Sequence, residues 1–238
     1  MAYNLRQNNS LYPDPEFLRR TIRSCLPSKK TRTNSDIRVA LQLWRKDPVH
    51  TSVLYGPISE WDTSNVTDMS RLFSDYTKFN DDIGDWDVSN VTTMAGMFYF
   101  AKHFNRDIGR WNVSNVVNMD SMFLGAESFN HDISKWNVSN VSDMQHMFAG
   151  AESFDQNIGG WDVSGVINMD SMFESAYSFN QYIGKWNVTN VLNMDGMFYS
   201  AVSFNKDISR WDTTNVIDMG AMFGEGCPIH DDNKPKFF

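Results

Sequence analysis

Seven tryptophans, Trp61, Trp86, Trp111, Trp136, Trp161, Trp186 and Trp211, stand at one constant interval along the chain. Other residues keep the same phase: Ile58 to Ile208, Val66 to Val216, Met69 to Met219, Phe73 to Phe223 and Phe79 to Phe204. Self-similarity at a fixed period of roughly 20–50 residues is the signature of a stacked array, because one short unit cannot bury its own apolar face. Of the 14 methionines, all but Met1 fall at two phases of this repeat, so composition here follows from periodicity. Residues 58–226 therefore read as a solenoid of seven coils rather than as two globular domains.

Each coil divides into three parts. Trp86-Asp87-Val88 alternates in, out, in, which predicts a short parallel strand at each Trp. Ser89-Asn90 is a turn pair. Val91, Met94, Met97 and Phe98 follow at spacings of three and four, which predicts a short helical or 3-10 segment. Outside the array, Asp14-Pro15-Glu16 reads as the start of a short helix in a basic N-terminal arm, residues 1–34. Ser35 is expected to cap a helix that Pro48 ends, and residues 35–57 to cover the first coil. Residues 227–238 form the C-terminal cap, with Ile229 standing in for the missing Phe.

The run W-x-V-S-N-V-x-x-M-x-x-M-F-x-x-A-x-x-F-N resembles the repeat of the BspA-like leucine-rich-repeat surface proteins, in its Trp/Met/Phe variant. Tyr55–Phe73 is also similar to the way such arrays begin. The resemblance covers about residues 35–226. It implies a leucine-rich-repeat-like solenoid with roles in surface binding or adhesion.

Charge narrows the partners. The formal net charge is −8. Residues 1–34 carry seven Arg or Lys (Arg6, Arg19, Arg20, Arg23, Lys29, Lys30 and Arg32) against Asp14 and Glu16, a net of +5, leaving −13 on the rest. An acidic body without a basic stripe argues against nucleic acid as its ligand, and a basic arm is suited to an acidic surface, including the body itself. Two cysteines, Cys25 and Cys227, flank opposite ends of the array and form no disulfide framework. No apolar run reaches the length of a membrane span, and the N-terminus lacks the apolar core of a signal peptide. The expectation is an intracellular or assembly-associated protein rather than a secreted one.

The apolar repeat positions read as core rather than as an aromatic cleft. Asn files at Asn65 to Asn215 and at Asn80 to Asn205 read as amides that satisfy backbone groups at turns. Asp62, Asp87, Asp162 and Asp212 lack the glycine-rich pattern of calcium-binding solenoids, so no metal is expected. His103, His131 and His146 occupy three different phases, no nucleophile motif or phosphate loop occurs, and neither catalysis nor a cofactor is expected. The leading expectation is a non-enzymatic interaction module with a protein partner. The alternatives are a structural subunit of a large assembly tethered by its arm, and a cell-surface adhesin. The expected partner-binding residues are Glu60, Asp85, Arg110, Lys135, Lys185 and Arg210, which flank the tryptophans, with Tyr99 and Tyr199 as aromatic anchors. Arg19, Arg20, Arg23, Lys29, Lys30 and Arg32 make up the basic arm.

Overall fold

The computed structural model of the chain describes residues 31–236. Its organising feature is a series of parallel bridges between equivalent positions of successive repeats. Asp68 pairs with Thr93, Thr93 with Asn118, Asn118 with Asp143, and so on to Asp218. At the first junction Thr92 N donates to Thr67 O and Met69 N to Thr93 O, and this pair of bonds recurs at all six junctions. Successive repeat units therefore lie side by side in one register.

The bridges do not sit at the tryptophans. Pairing occurs further along each unit, and the predicted strand at each Trp is instead a turn in which Trp86 N donates to Ile83 O. The cause is the polar residue that follows. Asp87 Oδ1 accepts the backbone N–H of Ser89 at 2.9 Å, closing an Asx turn that bends the chain. Among the described residues a strand adjoins a Trp only in the first unit, where β2 (Asp62–Asn65) pairs in parallel with β1 (Thr31–Thr33).

The predicted helical segment is also replaced. Over 94–101, alternate N–H groups go to two places. Those of Met97, Tyr99 and Ala101 bond three residues back, while those of Gly96, Phe98 and Phe100 bond carbonyls of the next unit. Residues such as Phe100 and Ser121 have φ of 50° and 56°, which no right-handed helix can accommodate. The i, i+3, i+4 spacing records stacked turns. Half of the N–H groups that a helix would satisfy internally are satisfied across the junction.

Inside, each residue type stacks on itself. Phe98 lies 5.4 Å from Phe123, and Trp136 lies 6.4 Å from both Trp111 and Trp161, with near-parallel rings. Every repeat Trp is at least 96% buried, and its indole N–H reaches a backbone carbonyl earlier in the chain, as Trp136 Nε1 does to Ile108 O at 3.1 Å. Trp thus supplies buried area and satisfies its own buried N–H on a carbonyl of the preceding unit, which also accepts the backbone N–H of that unit's Trp, as Ile108 O does from Trp111 N. The two Asn files bond between units as well. Asn140 Nδ2 donates to Ser114 O, and Asn105 Oδ1 accepts from Asn130 N. They face solvent or lie half-buried rather than inside.

The first unit is covered by α1 (Asn34–Lys46) and α2 (Pro48–Tyr55). The cap of α1 is Thr33, not Ser35. Asp36 N donates to its hydroxyl, and Thr33 N donates to the Asp36 carboxylate at 2.7 Å. Pro48 does not merely end the run. It occupies the first turn of α2, whose N-cap Asp47 accepts from His50 N. The buried face of α1 is Ile37, Ala40, Leu41 and Trp44, and Trp44 meets Trp61 edge-on at 6.0 Å. Carbonyls at the open end of the first unit find arginines. Arg38 bonds Ser70 O and Arg45 bonds Asp75 O, each at 2.8 Å. Asn34 Oδ1 accepts from Thr67 N at 2.9 Å, doing the work of a preceding unit.

At the other end the tail keeps the phase without the sequence. Ile229 is buried one repeat length after Phe204, and Ile208 N bonds Asn233 O. No helix among the described residues is long and apolar enough to cross a membrane.

Candidate interaction surface

On the tryptophan side of each unit, the positions of Trp61, Thr63, Val66 and Met69 point inward, and those of Glu60, Asp62, Asn65 and Thr67 are exposed. Repetition in register turns the four exposed positions into four files. The first holds Glu60, Asp85, Arg110, Lys135, Gly160, Lys185 and Arg210, all exposed. None of Arg110, Lys135, Lys185 and Arg210 forms an ion pair with a described carboxylate within 4 Å, although Lys135 and Arg210 help hold Asp132 and Asp207 below the usual carboxylate range. In both aspartates the larger cause is the hydrogen bond from the serine two residues on.

The second file is committed to the backbone. Asp62, Asp162 and Asp212 accept the N–H groups of Ser64, Ser164 and Thr214, and the hydroxyls of these residues hold the carboxyls low. In the other four units Asp87, Asn112, Asn137 and Asn187 make the same turn. The third file is the Asn series already described, in which Gly165 replaces one side chain.

Sequence reasoning missed the fourth file, which runs Thr67, Thr92, Val117, Ser142, Ile167, Leu192, Ile217. Val117 is 46% exposed, Ile167 48%, Leu192 40% and Ile217 82%. The last three occupy adjacent units, joined by Leu192 N to Ile167 O and Ile217 N to Leu192 O. The signal was present in N-V-x-x-M, where the residue after Val is aliphatic in four of seven units. Assigning that stretch to a helix concealed that its side chains line up on one side.

Tyr99 and Tyr199 belong to a different file and are half-buried. Arg71 sits 5.5 Å over the Tyr99 ring, and the Tyr199 ring lies against Gly224, so both are already in contact with their own chain. Of the basic arm, Arg19, Arg20, Arg23, Lys29 and Lys30 lie outside the described residues, as does the helix expected after Asp14. Arg32 is not an arm residue. It is 98% buried beneath the cap, with its guanidinium 4.8 Å from the Tyr55 ring and 5.0 Å from that of Trp61. Burial lowers its pKa. His103 and His131 each bond a backbone carbonyl, of Thr77 and Asn105.

The repeat and its files match the family described as "Mycoplasma protein of unknown function, DUF285", over residues 49–157 and again over 131–234. Together the two matches span most of the chain. The protein belongs to this family. Two overlapping matches within one chain agree with the repeat register seen in the bridges and mark this as a repeat protein. No curated protein and no solved structure matches the chain.

Proposed function

We propose that this member of the family is a leucine-rich-repeat-like solenoid of the BspA-like kind, and that it works as a non-enzymatic module that binds a protein partner through its tryptophan-side face. The observation that carries the reading is the aliphatic strip Ile167, Leu192 and Ile217. Isolated exposed aliphatics are ordinary on protein surfaces, but contiguous ones on a rigid ladder are characteristic of contact sites. The strip supplies desolvation energy at one edge of the face. The cationic file Arg110, Lys135, Lys185 and Arg210 supplies long-range attraction on the same side. The partner's contact segment is thus acidic and carries aliphatic side chains.

Peptides selected on the intact chain from a displayed random library test this. The selected peptides should be enriched in aliphatic and acidic residues. Their binding should be lost in the triple variant Ile167→Asp, Leu192→Asp, Ile217→Asp, and weakened in the variant that reverses the four cations to Glu. Equal binding to the parent and both variants would contradict the proposal.

A further inference from the structure

The two ends of the stack are finished differently. A terminal unit needs a cap with a polar outer face, because nothing packs beyond it. At the first unit that role falls to α1, whose buried stripe is Ile37, Ala40, Leu41 and Trp44. At about 100° per residue, Val39, Leu43 and Lys46 fall on the opposite side of the helix, away from the stack. Val39 is 52% exposed, Leu43 37% and, in the first turn of α2, Val49 78%. Three aliphatic side chains thus stand on the outside of a cap. Lys46 is exposed and forms no ion pair with a described carboxylate within 4 Å, whereas Asp36 and Asp47 are taken up in helix capping.

The last unit is left partly open. The tail covers its tryptophan side, where Asn233 O accepts from Ile208 N and Lys236 O from Thr213 Oγ1. Further along, Val216, Met219 and Phe223 are only partly buried, although their equivalents in all six earlier units are at least 99% buried. The N–H of Met219 meets no acceptor among the described residues, while that of every earlier equivalent bonds a carbonyl of the next unit. Residues 219–224 line an open hollow of about 470 Å³. Asp218 and Glu225, which bracket this stretch, are exposed. Lys234, 5.5 Å from the Phe223 ring, is already engaged by Asp231 at 2.7 Å.

We propose that the hollow of the last unit receives the helical cap of a second copy of this chain, so that copies join head to tail. The two surfaces answer each other in chemistry. The cap offers projecting aliphatic side chains beside the unpaired cation Lys46, and the hollow offers apolar walls of Met219 and Phe223 between two carboxylates. They lie at opposite ends of seven units, six junctions or about 29 Å apart, so a chain cannot bring its own cap to its own hollow. Contact between two unlike patches does not close on itself, and each added copy presents a fresh hollow. Growth along the stack leaves the exposed files of the tryptophan side open in every copy.

Sedimentation velocity of the full-length chain over a wide range of concentration tests the contact. The weight-average mass should rise with concentration past that of a dimer. Val39→Glu with Val49→Glu spoils the cap, and Gly220→Arg fills the hollow. Position 220 tolerates a side chain: earlier units carry Ser70, Ala95, Gln145 or Asp195 there, and a Cβ on Gly220 meets nothing nearer than 3.5 Å. Each variant should keep the parent's circular dichroism and stay monomeric alone. If Gly220→Arg changes the spectrum, Asp218→Lys with Glu225→Lys takes its place. Mixed in equal amounts, the cap and hollow variants should form dimers and nothing larger, because one intact hollow then meets one intact cap. Ile167→Asp with Leu192→Asp, which removes the aliphatic strip, should assemble as the parent does. A parent that stays monomeric into the millimolar range, either variant assembling by itself, a mixture that fails to dimerise, or assembly lost with the strip would overturn the contact.

Discussion

Trp136 shows how much a single position carries. Its ring stacks on Trp111 and Trp161, and its N–H holds a carbonyl of the preceding unit, so three units meet in one side chain. Trp136→Ala should cost about 3–5 kcal/mol through the cavity it leaves, read as a fall in denaturation midpoint. Trp136→Phe should recover part of this and not the hydrogen bond. An unchanged midpoint for the Ala variant would mean that the ring is not core. Asp143 makes the opposite case. It is half-buried, and burial, with the charge of Asp120 adding to it, raises its pKa. A folded pKa above the unfolded one means that ionisation opposes folding. That penalty is complete above the folded pKa and absent in acid, below the unfolded value. Units with Asn118, Asn168 or Asn193 at this phase avoid it while keeping the same turn. Asp143→Asn should therefore raise the melting temperature at neutral pH, and the gain should disappear as the pH falls below the usual carboxylate range. A gain that persisted in acid would contradict the electrostatic cause.

At the scale of elements, the cap works through hydrogen bonds as much as through burial. Thr33→Ala removes half of a reciprocal capping pair and should cost about 1 kcal/mol. Arg38→Ala with Arg45→Ala should cost more, because it strips partners from backbone carbonyls at the open end of the first unit. Hydrogen exchange should then quicken in residues 69–76 before it changes in the middle units. Uniform acceleration along the chain would count against a local capping role. Which residues are inward was legible in the sequence, since Trp, Val, Met, Phe and Ile repeat in phase and all serve one core. The secondary structure was not legible to the same degree. Three- and four-residue spacing is shared by helices and by turns stacked with positive φ, and only the register between units distinguishes them. Arg32 looked like one more arm cation because nothing local in the sequence places Tyr55 and Trp61 around it. The aliphatic file could have been read from the alignment of the seven units. The open groove of about 320 Å³ over Gly125 and Gly150 could not, because it arises from the absence of side chains there beside Glu127, Glu152 and Glu174 of three different units.

For the whole molecule the five middle units are interchangeable in their inward residues, while the first and last differ at Thr63, Leu72, Tyr76 and Thr213, and all units are distinct in their outward ones. Alternate N–H groups of the 94–100 stretch, those of Met94, Gly96, Phe98 and Phe100, and their equivalents point toward the following unit, and the carbonyls that receive them point back. The stack therefore has a direction, with carbonyls meeting the arginine cap at one end and a different tail at the other. Such an array should accept whole extra units, provided they enter in phase. Duplicating residues 108–207 adds four whole units and tests this most directly by solution X-ray scattering. At about 4.8 Å per unit the largest dimension should grow by about 19 Å, with the cross-sectional radius unchanged and one cooperative unfolding transition retained. A wider cross-section, or a second independent transition, would contradict the account that each repeat unit is one layer of a single stack.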